Sequence, residues 1–407
     1  TYIPSFTYML IQNSGGSGVQ GTDVNGFSFT RGAIINSGTG LAVGSSNIAF
    51  NTTTTGTERN LSGTVSILNN TLSNAYYHGV DIFNYSGTID NLTISNNVIT
   101  SSTAQASSNG SGVRVIAFGY ASAVASVTTA SIGGNTISNF PNGSAIRVQG
   151  GNAAAAGPPG KLGTLSSATE VIAISANTVS GQSAANPIGL EAILATVSGR
   201  GQGNFNISGN GASGNPIANV FGTAISVNAL NTGAAVTANV INNVLAPNSQ
   251  FGGLGIGVGV NGANATDTPD MGIVITGNTI SQTDGNGILA VARATAGTLR
   301  AKIQNNTVAA PLGGGARPGI RVDSGNSTGN TSVCVNISGN TSAGSLGVQG
   351  IGLRKQGNVS GTNVFGVNGM AATATPVVES FVSGLNPAGN GTLLLSGTNG
   401  FQNCNLP

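Results

Sequence analysis

The sequence predicts an all-β chain coiled into a parallel β-helix with a C-terminal cap. Three observations carry that prediction: a recurring phrase built around Asn, a Gly-led apolar tetrad that follows it, and a composition rich in small residues and poor in charge. The first phrase reads apolar, x, apolar, x, x, Asn, x, apolar. It occurs as SILNNTL (66–72), TISNNVI (93–99), SIGGNTI (131–137) and six further copies, placing its Asn at Asn70, Asn97, Asn135, Asn177, Asn210, Asn243, Asn278, Asn306 and Asn340. The tetrad occurs as HGVDI (78–82), GVRV (112–115), SAIRV (144–148), GLEAI (189–193), TAISV (223–227), GIGV (255–258), GILAV (287–291), GIRV (319–322) and GIGL (350–353). Both phrases alternate apolar with small or polar residues, which is the period of strands. Short strands that recur once per unit, with no helices to make crossovers, are best paired by coiling the chain so that each meets its equivalent one turn on.

Each element of the unit has a physical reason. A turn between two strands needs a residue that tolerates the left-handed region and bonds its own backbone, and Asn does both. Stacked Asn side chains can also hydrogen-bond along the axis. The Gly before each tetrad is expected at a bend where a Cβ would clash. Residues 1–60 hold less regular strand-like runs, FSFTRGAII (27–35) and SNIAF (46–50), and are expected to form opening coils. Nine regular coils follow over 61–360, interrupted by two Gly-, Ala- and Pro-rich insertions (150–170 and 261–270) expected to be exposed loops. Residues 361–407 lose the Asn phrase, and TPVVESFVSG (375–384) can make a short helix over an end whose strand edges would otherwise be open.

Composition bounds the class. Of 407 residues 65 are Gly, 6% are charged and none is Trp. Low charge with many β-branched residues and a mean hydropathy of +0.17 argues for a folded chain, because disordered chains are hydrophilic and charged. A net charge of +2, from scattered Lys and Arg, gives no reason to expect nucleic acid or an anionic membrane as partner. No apolar run approaches the roughly 18 residues that cross a bilayer, so membrane insertion is not expected. The chain opens on TYIPSF without a charged n-region and reads as soluble, a mature or excised piece. Two cysteines, Cys334 and Cys404, are too few for a metal cluster or a CxxC motif. Two buried thiols or one disulfide would suit them, and the disulfide is preferred because both lie near the C-terminus of a chain that looks exported.

These phrases, with the C-terminal run from VCVNISGNTSAGSLGVQGIGL (333–353) to FQNCNLP (401–407), resemble exported bacterial β-helix repeat proteins, rich in Asn, Gly and Thr and adhesin-like. The resemblance covers almost the whole chain. It implies a right-handed coil, export and a place on the bacterial cell surface, and it supplies no catalytic motif.

Candidate chemistry concentrates in the tetrads. With the first and third apolar residues turned inward, the residue between them is expected to face solvent. Those positions are Asp81, Arg114, Arg147, Glu191, Ser226, Gly257, Leu289, Arg321 and Gly352, so Asp81, Arg114, Arg147, Glu191 and Arg321 put charge where the chain otherwise has little. The plainer reading is solubility and protection against edge pairing. The functional one is a stripe that grips carboxylate, sulfate or sugar hydroxyls. Catalytic material is thin. His78, beside Tyr76, Tyr77 and Asp81, can in principle move protons, although a single loop imidazole among aromatics is more often packing. Asp267 and Asp270 sit on a loop without calcium-site spacing. NTTTT (51–55) is too isolated for an ice-binding array, and sequons at Asn60, Asn84, Asn91 and Asn206 follow from composition. The sequence therefore points to a structural or adhesive extracellular protein, whose partner is another copy of itself or a cell-surface polysaccharide. The alternative is a module that binds or degrades polysaccharide with the charged stripe. No cofactor is expected.

Overall fold

A computed structural model describes residues 3–40, 44–54, 56–101, 110–120, 123–152, 159–264, 266–293, 296–325, 329–356, 363–370, 375–387, 393–396 and 400–406. The described residues form a parallel β-helix with three sheets of 14, 11 and 12 strands, the strands paired in parallel with their equivalents one coil away. Strands before the Asn, such as Leu61–Leu68 and Gly87–Ser95, form the first sheet. Short strands after it, such as Thr71–Ser73 and Val98–Thr100, form the second. The tetrads form the third, which includes Val80–Asn84, Val113–Ala117, Ile146–Gly150 and Ile320–Ser324.

Period-2 alternation sends one apolar side chain per strand inward at the same place on each coil. Phe29, Ile67, Ile94, Ile132, Ile174, Ile207, Val240, Ile275, Ile303 and Ile337 are in register and fully or almost fully buried. Each such side chain contributes about 1.5–3 kcal/mol of transfer free energy. The Gly ahead of the tetrad is needed for close approach: a Cβ on Gly112 would lie 2.5 Å from Ile137 Cγ2 and 2.7 Å from the Ala145 carbonyl.

The Asn column is buried and stacks along the axis as expected, but the left-handed turn does not fall on it. The left-handed residue at the corner is the one before it: Asn69, Asn96, Gly134, Ala176, Gly209, Asn242, Gly277, Asn305 and Gly339 all have positive φ. The column Asn instead turns its amide inward. Asn210 Nδ2 donates to Asn243 Oδ1 (2.9 Å) and to the Ile174 carbonyl (2.9 Å), while its Oδ1 accepts from the backbone N–H and Nδ2 of Asn177. The pattern repeats from Asn70, which accepts the Gly32 N–H, to Asn340, which donates to Asn386 Oδ1. Asn386 follows the helix Thr375–Leu385, so the cap supplies the last rung of the ladder. Buried amides tolerate this position because each donor and acceptor is met.

Residues 5–50 carry the same three strands per coil and join the same sheets. The C-terminal segment adds Val364–Asn368 and Gln402–Cys404 to the first sheet, and Cys404 is disulfide-bonded to Cys334. The insertions are less loop-like than expected. Gly160–Leu162 is a strand paired with Ala125–Val127, and residues 153–158 lie outside the described residues. In the second insertion Asp267 is buried and its carboxylate accepts the N–H groups of Thr232, Ala263 and Asn264, which spends it on holding the loop. Asp270 pairs with Arg300.

Candidate binding face of the tetrad sheet

Strand alternation places two outward columns on the tetrad sheet, at the second and fourth residues of each strand. The first column runs Ala49, Asp81, Arg114, Arg147, Leu194, Ser226, Gly257, Leu289, Arg321 and Gly352 in register. Two sequence expectations fail here. Glu191 is not in the column: the strand of that coil begins at Ile193, Leu194 stands beside Arg147, and Glu191 accepts a hydrogen bond from Ser144 Oγ (2.9 Å) just ahead of it. Asp81 is in the column but is wholly buried, because neighbouring side chains close over it.

Asp81 is held from three sides. Arg114 grips it in a bidentate pair, Nε to Oδ1 at 2.7 Å and Nη2 to Oδ2 at 2.8 Å, and Asn51 Nδ2 donates to Oδ2 at 2.6 Å. His78 Nε2 lies 3.8 Å from the same oxygen. Burial works to raise the Asp81 carboxyl, but attraction to a charged His78 and to Arg114, with the hydrogen bonds from Arg114 and Asn51, brings it below the usual carboxylate range. At neutral pH His78 is uncharged, so Arg114 and Asn51 keep the carboxylate ionised. Desolvation outweighs Asp81 and lowers His78 to about 3, and its Nδ1 accepts the Ser111 N–H at 2.8 Å. Tyr77 packs edge-on to the imidazole with centroids 4.5 Å apart. The Arg114 guanidinium lies 5.6 Å from the Phe83 ring centroid.

Arg147 stands next in register. Its Nη2 donates to Gln149 Oε1 (2.8 Å), and its Nε is buried without a hydrogen-bond partner. Burial first, then repulsion from Arg114, lowers its pKa from the normal guanidinium value. Beside this group lies a cleft of about 460 Å³ whose walls include Ser17, Gln20, Asn51, Thr53, Tyr77 and Arg114. Hydroxyls, amides, one aromatic ring and one guanidinium edge suit hydrogen bonding to a polar ligand. The buried imidazole and carboxylate are engaged with protein groups and do not face that cleft as an acid and base pair.

A second charged centre, which the tetrad pattern did not disclose, lies toward the C-terminal coils. Asp323, in the second outward column, is buried and accepts Nε and Nη2 of Arg321 (2.8 and 3.0 Å), while Nη2 of Arg354 and of Arg293 approach Oδ2 at 3.1 and 3.4 Å. Of these only Arg321 was expected at a site. The missed signal was the alternation itself: Asp323 is two residues beyond Arg321 and in register with Arg354. Between the two centres runs a trough of about 180 Å³ bounded by Ser226, Asn228, Asn261, Leu289, Val291 and Arg293. Its floor holds Gly257 and Gly259, and a Cβ on Gly259 would strike Asn228 Oδ1 at 2.6 Å and Asn261 Nδ2 at 2.8 Å.

Among the described residues no group of three His, Cys, Asp or Glu side chains is placed to hold a metal ion. No helix of the described residues is long and apolar enough to cross a membrane. The sequon residues Asn60 and Asn84 are buried and donate to the carbonyls of Phe83 and Leu61, so neither is open to glycosylation in the folded chain. Compared with models of protein families, with curated proteins and with solved structures, the chain matches none.

Proposed function

We propose that the chain is a rigid extracellular rod, structural or adhesive in use, that presents the outer face of its tetrad sheet to a cell-surface polysaccharide. One observation carries the reading: the Asn ladder runs unbroken from the Gly32 N–H to Asn386 and ties the coils into one stack. At about 4.8 Å per coil the thirteen first-sheet strands in line span roughly 58 Å. A solenoid whose coils share both backbone pairing and a buried side-chain ladder resists bending, which suits a spacer. Self-association end to end or side to side is compatible with the same geometry.

Polysaccharide contact is favoured by the two depressions on one face, each walled by hydroxyl, amide and guanidinium groups. Cleavage of that polysaccharide gains no support from His78 and Asp81, which are both buried, the carboxylate held by Arg114 and Asn51 and the imidazole accepting the Ser111 N–H through Nδ1 while its Nε2 is closed off. The test incubates the whole chain with neutral and acidic polysaccharides, following co-sedimentation and the release of new chain ends. Saturable co-sedimentation without depolymerisation is expected; catalytic depolymerisation would overturn the structural reading.

A further inference from the structure

We propose that the Asp323 centre is an oxyanion-binding site, taking the carboxylate or sulfate ester of an acidic glycan whose chain lies in the adjoining trough. The proposal rests on the adhesive reading above and names its ligand chemistry.

Charge is the first ground. Arg293, Arg321 and Arg354, from three successive coils, converge on the single carboxylate of Asp323, so the cluster keeps two positive charges. Asp323 is crowded with donors: Oδ1 receives Nε of Arg321, and Oδ2 is approached by Nη2 of Arg321, Arg354 and Arg293, one more than its two lone pairs accept. Donors remain in excess. Arg354 Nε is buried with no protein partner, and Arg321 spends two of its five N–H groups on the aspartate. A second oxyanion placed above the cluster would meet guanidinium edges already fixed in direction, and that fixing removes much of the ordering cost of binding.

Shape is the second ground. Arg293 belongs both to the aspartate cluster and to the wall of the trough, so the trough opens directly onto the cationic centre. The trough floor is Gly257 and Gly259, and one coil, carrying Leu289 and Val291, separates that floor from Arg321 and Asp323; Arg293, which follows the strand of that same coil, links the polar walls of Ser226, Asn228 and Asn261 to the cluster. From the strand of Ser226 to that of Arg354 is four coil steps, about 19 Å, which fits an extended oligosaccharide segment better than a single sugar. The direction of that segment, along the axis, is set by the stacking of the coils.

The centre near Asp81 differs in the respect that matters. There one bidentate arginine and the neutral amide of Asn51 hold the aspartate, and the second guanidinium of the group, Arg147, acts on it only at a distance.

The experiment is calorimetric titration of the full chain with polygalacturonate, dextran sulfate and uncharged dextran at two salt concentrations. Both acidic polymers are expected to bind and dextran not to, with affinity falling as salt rises. A preference between the acidic polymers identifies carboxylate or sulfate as the natural group. Arg293→Gln with Arg354→Gln should lower affinity for the acidic polymers by about tenfold or more, the worth of one to two charge-assisted hydrogen bonds. Arg200→Gln, at an exposed turn away from the trough, removes the same kind of charge once and should change affinity little. Gly257→Ala raises the trough floor without altering charge; it should weaken the polymers and leave binding of free sodium sulfate unchanged. Circular dichroism and thermal unfolding verify that each variant is folded. Equal binding of dextran and the acidic polymers, or undiminished binding by the folded double variant, overturns the proposal while leaving the rod reading standing.

Discussion

Two buried aspartates on one face of the same sheet have been given opposite surroundings. Asp81 and Asp323 both lie in strands of the tetrad sheet, both have essentially no exposure, and both are met by an arginine through Nε and Nη2. Around Asp81 the other contacting groups are neutral, Asn51 and an uncharged imidazole, and the second guanidinium, Arg147, acts on it only at a distance. Around Asp323 the rest of the shell is two more guanidiniums, on side chains that are about a third to a half exposed. A buried carboxylate therefore serves two ends in this fold. With one partner it closes a polar gap in the packing, and with three it collects positive charge and aims it outward.

Removing the carboxylates should break that symmetry most visibly. Asp81→Ala leaves Arg114, with a side chain only 20% exposed, without its counter-ion, and a broken buried pair typically costs about 3–5 kcal/mol. Asp323→Ala leaves arginines that can turn to water, so a smaller loss of about 1–3 kcal/mol is expected, and added sulfate should reduce it by filling the vacated position. Urea unfolding of the two variants, with and without sulfate, measures both. Equal losses, or sulfate protection of the Asp81 variant alone, would contradict the contrast.

The disulfide separates the two regions further. Cys334 and Cys404 close a loop of 70 residues that contains Arg354 but lies far along the chain from Asp81. Reduction should cost ~2–4 kcal/mol on the usual scale for such loops, and hydrogen exchange should rise at Ile351–Lys355 while Val80–Asn84 stays protected. Loss of protection in both strands would mean that the coils unfold as a single unit.

Acid should act first near Asp81. His78 is neutral when folded, with a pKa of about 3 against 6.5 when unfolded, so the unfolded chain binds the extra proton between those values. Stability is then fully present above pH 6.5 and falls as pH drops toward 3, by about 2–3 kcal/mol over the first two units. Protonation of Asp81, whose folded pKa is also lowered, removes further stability below about pH 3.8. His78→Asn retains an acceptor for the Ser111 N–H and should flatten the upper part of that slope in pH-dependent denaturation curves. An unchanged slope would place the acid sensitivity elsewhere.

Much of the architecture was legible because β-helices write each coil in the same words. The Asn phrase and the tetrad located the strands of all three sheets, and TPVVESFVSG located the helix Thr375–Leu385. The site was legible only in part. Arg114, Arg147 and Arg321 stand in one register column as alternation required, whereas Glu191 precedes its strand because the paired segment that aligns with Ile146 starts only at Ile193, the last residue of GLEAI and two beyond Glu191. A pattern of apolar residues fixes which face a residue takes but tolerates such offsets when a loop changes length.

By itself the sequence determined the repeat, the inward columns and the class of fold, since these depend on local periodicity and on the need to pair every strand. Tertiary structure decided what the charges do. Whether an outward-pointing aspartate meets water, one arginine or three depends on what neighbouring coils and loops place over it, and Asn51 and Asp81, or Arg293 and Asp323, are about thirty residues apart in the chain. Stacking at about 4.8 Å brings such residues into hydrogen-bonding range, and the resulting shell turned the expected surface charge of Asp81 into packing and made the unexpected Asp323 the holder of a cationic centre.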